Sequence, residues 1–431
     1  MENEFYLKKF DSESDAKLRD PLHAKAFLAL LIITSLTLPA TGILGFPVKH
    51  LVFILFLFVL LLKWMTGYKV EKSIIVLLII SCIFGIFFIL TGALYGFSYF
   101  RHSLMESLQF LTTVAVGISI LIAKSMRIAD DEEIISYAFY GIFFYTIWKS
   151  TAGLLISIGI VSFESFYSFC RNVFDFVPVG NMVQRNLCRI SYMSADFIAT
   201  TFLFFISYFS SIFSGIPILF KRIFYITGIF CLVLSFSRIL FVLAALFWIF
   251  IFFFKYSFKK RLVFVSFFLG VMIVGSYWAQ DAFVWTKEIF EERFVSSKSK
   301  YNRLNDEIRG EQTEALINEW QKAPILGGGF GHYAKDYIRA QHIPFAYEVQ
   351  WVGFLMKFGI FGISFLIFLV FLLFYGILKG KRSSGHYILA STLAFYIIGS
   401  FTNQYAFGSL SAIFYIIHIN IASVLRSNMC T

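Results

Sequence analysis

Residues 73–95 read SIIVLLIISCIFGIFFILTGALY, an apolar run without one charged side chain. An α-helix crosses the hydrocarbon layer of a bilayer in about 20 apolar residues, and there every backbone group must find its partner within the fold. Runs of this kind recur along the chain, and that recurrence restricts the fold more than any other feature. Their lengths predict about twelve membrane-spanning helices, at 26–46, 48–66, 73–95, 104–123, 134–160, 193–216, 222–236, 239–254, 262–280, 351–378, 387–402 and 408–425. The seventh and eighth are short and nearly continuous, dividing near Ser237. A chain of 431 residues that is 58% hydrophobic and 15% charged has too little polar side chain to clothe a soluble core. The expected fold class is an all-α integral membrane protein, with about twelve transmembrane helices and a large, partly helical periplasmic loop before the last three.

The net charge of +11 would raise nucleic acid as a partner in a soluble protein. Here its distribution gives a better account. More than half of the 37 Lys and Arg fall in the N-terminal tail and the alternate loops reached from it. They include Lys63, Lys69 and Lys72; Lys124 and Arg127; Lys221 and Arg222; Lys255, Lys259, Lys260 and Arg261; and Lys379, Lys381 and Arg382. Basic residues flanking membrane helices stay on the cytoplasmic side, so both termini are expected there. The bilayer, not nucleic acid, is the expected partner of this charge. The first 25 residues are charged and polar with no small-residue cleavage site before the first span, so no cleavable leader is expected.

The resulting organisation is a cytoplasmic tail (1–25), nine helices with an outward loop at 161–192 (26–280), a large periplasmic loop (281–350), three helices (351–425) and a short cytoplasmic tail (426–431). A loop as long as 281–350 usually carries function. Its stretch NRLNDEIRGEQTEALINEWQKAP sets Ile308, Ala315, Leu316 and Trp320 among charges, the pattern of an amphipathic helix ended by Pro324 and a glycine turn. Cys82 and Cys231 lie in spans and read as buried apolar residues. Cys170 and Cys188 share the first outward loop, where a disulfide and two free thiols are both open readings. No Cys/His cluster has zinc-ligand spacing, and neither metal nor cofactor is expected.

The segment PILGGGFGHY, from Pro324 to Tyr333, puts glycine at 327, 328, 329 and 331. It is not a phosphate loop. Gly331 is followed by His332 instead of Lys-Ser/Thr, and no βαβ unit surrounds it. Two readings remain: a helix stop with a turn, or a backbone lying against a bulky polar ligand at the membrane surface.

The residues around this segment resemble the O-antigen ligase and O-antigen polymerase superfamily of surface-polysaccharide enzymes. Pro324, Gly327, Gly329 and Gly331 match its Pro-x-x-Gly-x-Gly-x-Gly turn, and Gly359-Ile360-Phe361-Gly362 matches its Gly-Ile-x-Gly step. The earlier SFSRIL, Ser235 to Leu240, resembles its Ser-Arg element at the outer end of a span. The family's catalytic-type His position falls here on Glu348. The resemblance implies Glu348 as general base, with His332 and His342 as nearby substitutes. A carboxylate needs burial or a like charge to serve well in that role. The bland alternative is that Glu348 caps the following span. Tyr347 and Gln350 add polar groups at the same mouth.

Charges inside spans are costly and mark functional sites. Lys149 lies in the fifth span and Arg238 at the junction of the seventh and eighth. Arg238, matching the Ser-Arg element, is the foremost candidate for a lipid-linked pyrophosphate, since guanidinium offers a fixed fork of donors. Arg171, Arg185, Arg189, Arg303 and Arg309 in the two outward loops are further substrate-binding candidates. Lys149 can equally snorkel or pair with a carboxylate.

The resemblance thus implies a metal-independent glycosyltransferase acting on undecaprenyl-pyrophosphate-linked glycan at the periplasmic face, with a chain-length regulator as a candidate partner. Polymerase is the first reading. A ligase transferring glycan to the lipid A core is the nearest rival, and a lipid-linked oligosaccharide flippase is the rival from another class. Against the flippase stand the long outward loop and the lack of a two-half repeat.

Overall fold

The computed structural model describes residues 22–37, 48–94, 97–174, 182–184, 187–188, 190–235, 237–255, 300–338, 344–380, 383–400 and 409–428. The helices are α1 (Leu22–Thr37), α2 (Val48–Met65), α3 (Lys72–Ala93), α4 (Phe97–Ser125), α5 (Asp131–Ser157), α6 (Phe163–Phe174), α7 (Met193–Tyr208), α8 (Ile218–Ser235) and α9 (Arg238–Lys255). Further along come α10 (Lys300–Trp320), α11 (Gln350–Leu378), α12 (Ser384–Gly399) and α13 (Ser409–Ser427). A helix lies over every predicted stretch except 262–280, which falls outside the described residues. Six are long and apolar enough to cross a membrane: α2, α3, α4, α8, α11 and α13. Shorter apolar helices are α1 and most of α7 and α9. The chain is therefore a helical, multi-pass membrane protein. Among the described residues, the strands are a small antiparallel ladder of β1 (Met182–Gln184) and β2 (Leu187–Cys188) in the first loop.

Two helices make the centre. α5 packs on α1, α7, α8 and α13, while α13 packs on α4, α5, α11 and α12. α13 carries polar residues into this interior, and burial favours pairing them. Tyr396 donates its hydroxyl to Ser411 Oγ at 2.9 Å, His418 Nε2 lies 2.7 Å from Thr392 Oγ1, and Lys124 donates to Asn420 Oδ1 at 3.3 Å. α5 begins with a reciprocal capping box between Asp130 and Glu133, and Lys25 Nζ meets Glu133 Oε1 at 2.6 Å, tying α1 to that end.

Two junctions matter for function. α8 stops at Ser235 and α9 starts at Arg238, so the helices divide beside Ser237, as the sequence suggested. α7 packs between them, with Phe204 and Phe247 stacked at 4.4 Å. Ile190, at the end of the first loop, donates its N–H to Leu234 O at 3.0 Å, which holds that loop against the α8–α9 corner. Cys170, on α6, is a free thiol buried with Ile156, Phe166 and Ile190, and burial pushes it up to about 11; of the two readings for this cysteine, the free thiol is the one formed.

The second junction lies inside α11. The sequence 351–378 reads as one apolar run, yet Gly359 adopts φ 59° and ψ −168°, so the helix is two halves joined at that glycine. Such a break leaves carbonyls of the first half and amides of the second without helical partners.

Candidate active site at the glycine turn

The glycine turn supplies those partners. α10 ends at Trp320, whose indole N–H donates to Pro324 O at 3.1 Å. Beyond it Gly327, Gly329 and Gly331 take φ of 67°, 79° and 77°, a region costly for residues with a Cβ. Gly328 and Gly329 donate to Met356 O and Lys357 O at 3.0 and 2.7 Å. In return, Ile360 and Phe361 donate to Pro324 O and Ile325 O, both at 3.0 Å. Phe330 donates to Phe88 O of α3 at 3.0 Å, and its buried ring packs between Phe110 and Phe358. A Cβ on Gly329 would lie 2.1 Å from the amide nitrogen of Gly92, and one on Gly359 would lie 2.2 Å from Ile325 O. The close approach that these glycines permit is to protein backbone. At these glycines the backbone lies against α3, α4 and α11.

Glu348 sits just before α11. Its carboxylate accepts from Arg309 Nε of α10 at 3.1 Å, with both side chains about one-third exposed, 32% and 34%. The cap position of α11 is Val349, so Glu348 does not act as a side-chain cap. The backbone here is held from beneath: Val349 donates to Oε1 of the fully buried Gln312 at 3.1 Å. Deep burial, a setting expected to help a carboxylate act as base, is not the one formed at this one-third-exposed side chain. A guanidinium orients it instead. An open hollow of about 460 Å³ runs along the same face of α10 past Arg309, Thr313, Ile317 and Asn318.

The other site residues are distributed unequally. Tyr347, expected at the mouth, points inward: it is 2% exposed, and its hydroxyl accepts from Ala334 N at 2.8 Å. Burial raises its ionisation above the usual tyrosine range. His332 is also buried, with Nε2 3.1 Å from Glu319 Oε1 on α10, and Glu319 also pairs with Lys322. Burial lowers the basicity of this imidazole, while Glu319 opposes the shift. Gln350 is the first residue of α11 and is half-buried. Arg171 lies exposed in the last turn of α6. Arg238 is the first residue of α9 and Arg303 lies in the first turn of α10, but their side chains fall outside the described residues. His342, Arg185 and Arg189 fall outside them altogether. Among the described residues, no three His, Cys, Asp or Glu side chains gather to hold a metal ion.

Three charged residues outside the set of sequence candidates turn out to organise this protein. Asp196, at the start of α7, accepts from Lys149 Nζ at 2.6 Å, Tyr145 Oη at 2.7 Å and Tyr192 N at 3.1 Å. Lys149 therefore pairs with a carboxylate, and both side chains are wholly buried. Glu106 of α4 and Lys357 of α11 form a second buried pair at 2.5 Å, beside the glycine turn. The signal for all three was present: each is a charge inside a predicted span, and such charges seek one another. What was hidden is which partner each finds.

These features define a membrane protein that folds a broken helix, a glycine turn and an Arg–Glu pair into one end of its bundle. Residues 223–367 match the family described as O-antigen ligase, and this match supports placing the chain in the O-antigen polymerase and ligase superfamily. The matched segment runs from α8 through α10 and the glycine turn into the second half of α11. It implies a glycosyltransferase-like enzyme. No curated protein matches the chain.

Proposed function

We propose that this protein is an O-antigen polymerase. It joins undecaprenyl-pyrophosphate-linked repeat units at the periplasmic face of the inner membrane, with about twelve spans and both termini in the cytoplasm. The observation that carries this reading is the Arg309–Glu348 pair at the open head of α11, within the segment that matches the family. The acceptor sugar's hydroxyl oxygen attacks the anomeric carbon of the donor. The bond from that carbon to the pyrophosphate oxygen breaks, and its electron pair leaves on the pyrophosphate. Glu348 takes the hydroxyl proton, with Arg309 orienting its carboxylate. Attack opposite the leaving group inverts the anomeric centre.

Arginines stabilise the charge that develops on the leaving group. Arg238 is the foremost of them. Support comes from the bond between Ile190 and Leu234, which makes the end of the arginine-bearing first loop a neighbour of the α8–α9 corner. Arg171, Arg185, Arg189 and Arg303 remain substrate-binding candidates of this proposal, and a chain-length regulator remains a candidate partner.

The test is a glycan profile of the deletion strain complemented with Glu348→Gln. Core bearing a single repeat, with wild-type protein levels in the membrane, is the expected result. Full-length glycan removes Glu348 as base. Bare core with long glycan stranded on undecaprenyl assigns the chain to the ligases instead, the activity for which the matched family is named.

A further inference from the structure

We propose that Glu106 and Lys357 are positioning residues that set the Glu348 segment against the glycine turn. The proposal rests on the reading of Glu348 as base. Each partner of this ion pair has a second task. Glu106 uses one carboxylate oxygen for Lys357 and the other, Oε2, to accept the N–H of Gly331 at 2.7 Å. Lys357 also donates to the carbonyl of Phe345 at 2.7 Å, three residues before Glu348, and lies 5.6 Å from the centre of the Tyr347 ring. One pair therefore grips the backbone at Gly331 and at Phe345, on two separate stretches of the loop that the site uses.

Energetics favour positioning over stabilisation. The side chains of Lys357 and Glu106 are 4% and 13% exposed, and desolvating two such charges costs about as much as their attraction returns. An apolar pair of similar volume would hold α4 against α11 as well or better. It could not hold Gly331 N or Phe345 O, which are the bonds that only a charged, forked pair supplies here. Glu106 also lies outside the matched segment 223–367, so the site is completed by a helix from the first third of the chain.

The experiment uses the full chain, purified in lipid nanodiscs, with lipid-linked repeat units extracted from the deletion strain as substrate. The variant Glu106→Leu/Lys357→Met removes both charges and leaves no orphaned ion; Glu106→Asp keeps two carboxylate oxygens as acceptors for Gly331 and Lys357. The double variant is expected to keep its thermal unfolding midpoint. Its kcat should fall about tenfold or more with KM little changed, since small displacements of a reacting group are that costly. Amides around 331 and 346–349 should exchange hydrogen faster. Glu106→Asp should recover part of the loss. Wild-type kcat with wild-type exchange in the double variant overturns the proposal. If the double variant does not insert, Glu106→Gln/Lys357→Met, which also leaves no orphaned ion and keeps an acceptor for Gly331, is read by the exchange of amides 346–349 under the same criterion. The exchange readout is independent of chemistry. Faster exchange together with an active Glu348→Gln would sink the base and leave the tether standing. An inactive Glu348→Gln beside an unaffected double variant would do the reverse.

Discussion

Among the described residues two Lys–carboxylate pairs are buried, Lys149–Asp196 and Glu106–Lys357, and they are built for different ends. Lys149–Asp196 lies wholly inside the bundle, where Asp196 gathers donors from α5, from α8 and from the residues leading into α7. It acts as a knot between helices. Glu106–Lys357 lies at the rim, and its remaining bonds go to loop backbone at Gly331 and Phe345. The same ion-pair chemistry secures the helix bundle in one place and sets a candidate active site in the other. Which role a pair has is read from what else its atoms hold, not from its depth or distance.

That contrast can be broken by mutation. The largest stability effect is expected from Asp196→Ala, which strands the Lys149 ammonium and the Tyr145 hydroxyl in the interior. A loss of roughly 3–5 kcal/mol is expected, read as poor insertion or a much lower unfolding midpoint in detergent. Lys149→Met with Asp196→Asn should recover most of it, because the charge goes and the acceptor stays. If that double variant remains as unstable as Asp196→Ala, the pair is more than a knot.

Next comes Gly329→Ala. The left-handed φ and the 2.1 Å approach to Gly92 together predict a loss of about 2–3 kcal/mol, felt at the glycine turn. Limited proteolysis within 325–350 should speed up while the α5–α7–α8 knot keeps its protection from hydrogen exchange. Equal loosening of both regions would show that the two are not separate.

The smallest stability effect belongs to Arg309→Ala. A pair this exposed contributes only about 0.2–1 kcal/mol, so the unfolding midpoint should barely move. Glycan joining should nonetheless fall several-fold, since the carboxylate loses its orienting partner. An unchanged rate would separate Arg309 from the site.

Much of the scaffold is legible in the order of residues alone. Apolar runs forecast the helices, and the division beside Ser237 is visible as a short interruption in hydropathy. The helix over 300–320 follows from its amphipathic pattern, and the unusual backbone at 327, 329 and 331 from glycine alone. Less legible is the break in α11. Its cause is a glycine in an otherwise continuous apolar run, and such a glycine breaks a helix only when something else satisfies the freed backbone. That something is the turn some thirty residues earlier. Tyr347 is misplaced by sequence for a related reason: a polar group before a span looks like part of a mouth until the fold reveals an inward partner, here Ala334 N.

The sequence by itself determined that this chain is helical and membrane-embedded, because apolar runs of about 20 residues match the length at which a helix crosses a bilayer with its polar backbone groups satisfied internally. It also determined where glycine must take conformations closed to other residues. Tertiary structure decided the pairings. Lys149 could have met lipid phosphate or water and meets Asp196; Glu348 could have capped its helix and meets Arg309; Glu106 and Lys357, some 250 residues apart, meet at the turn. Partner choice between distant charges depends on how helices pack, which is a property of the whole bundle and is written in no local stretch of it.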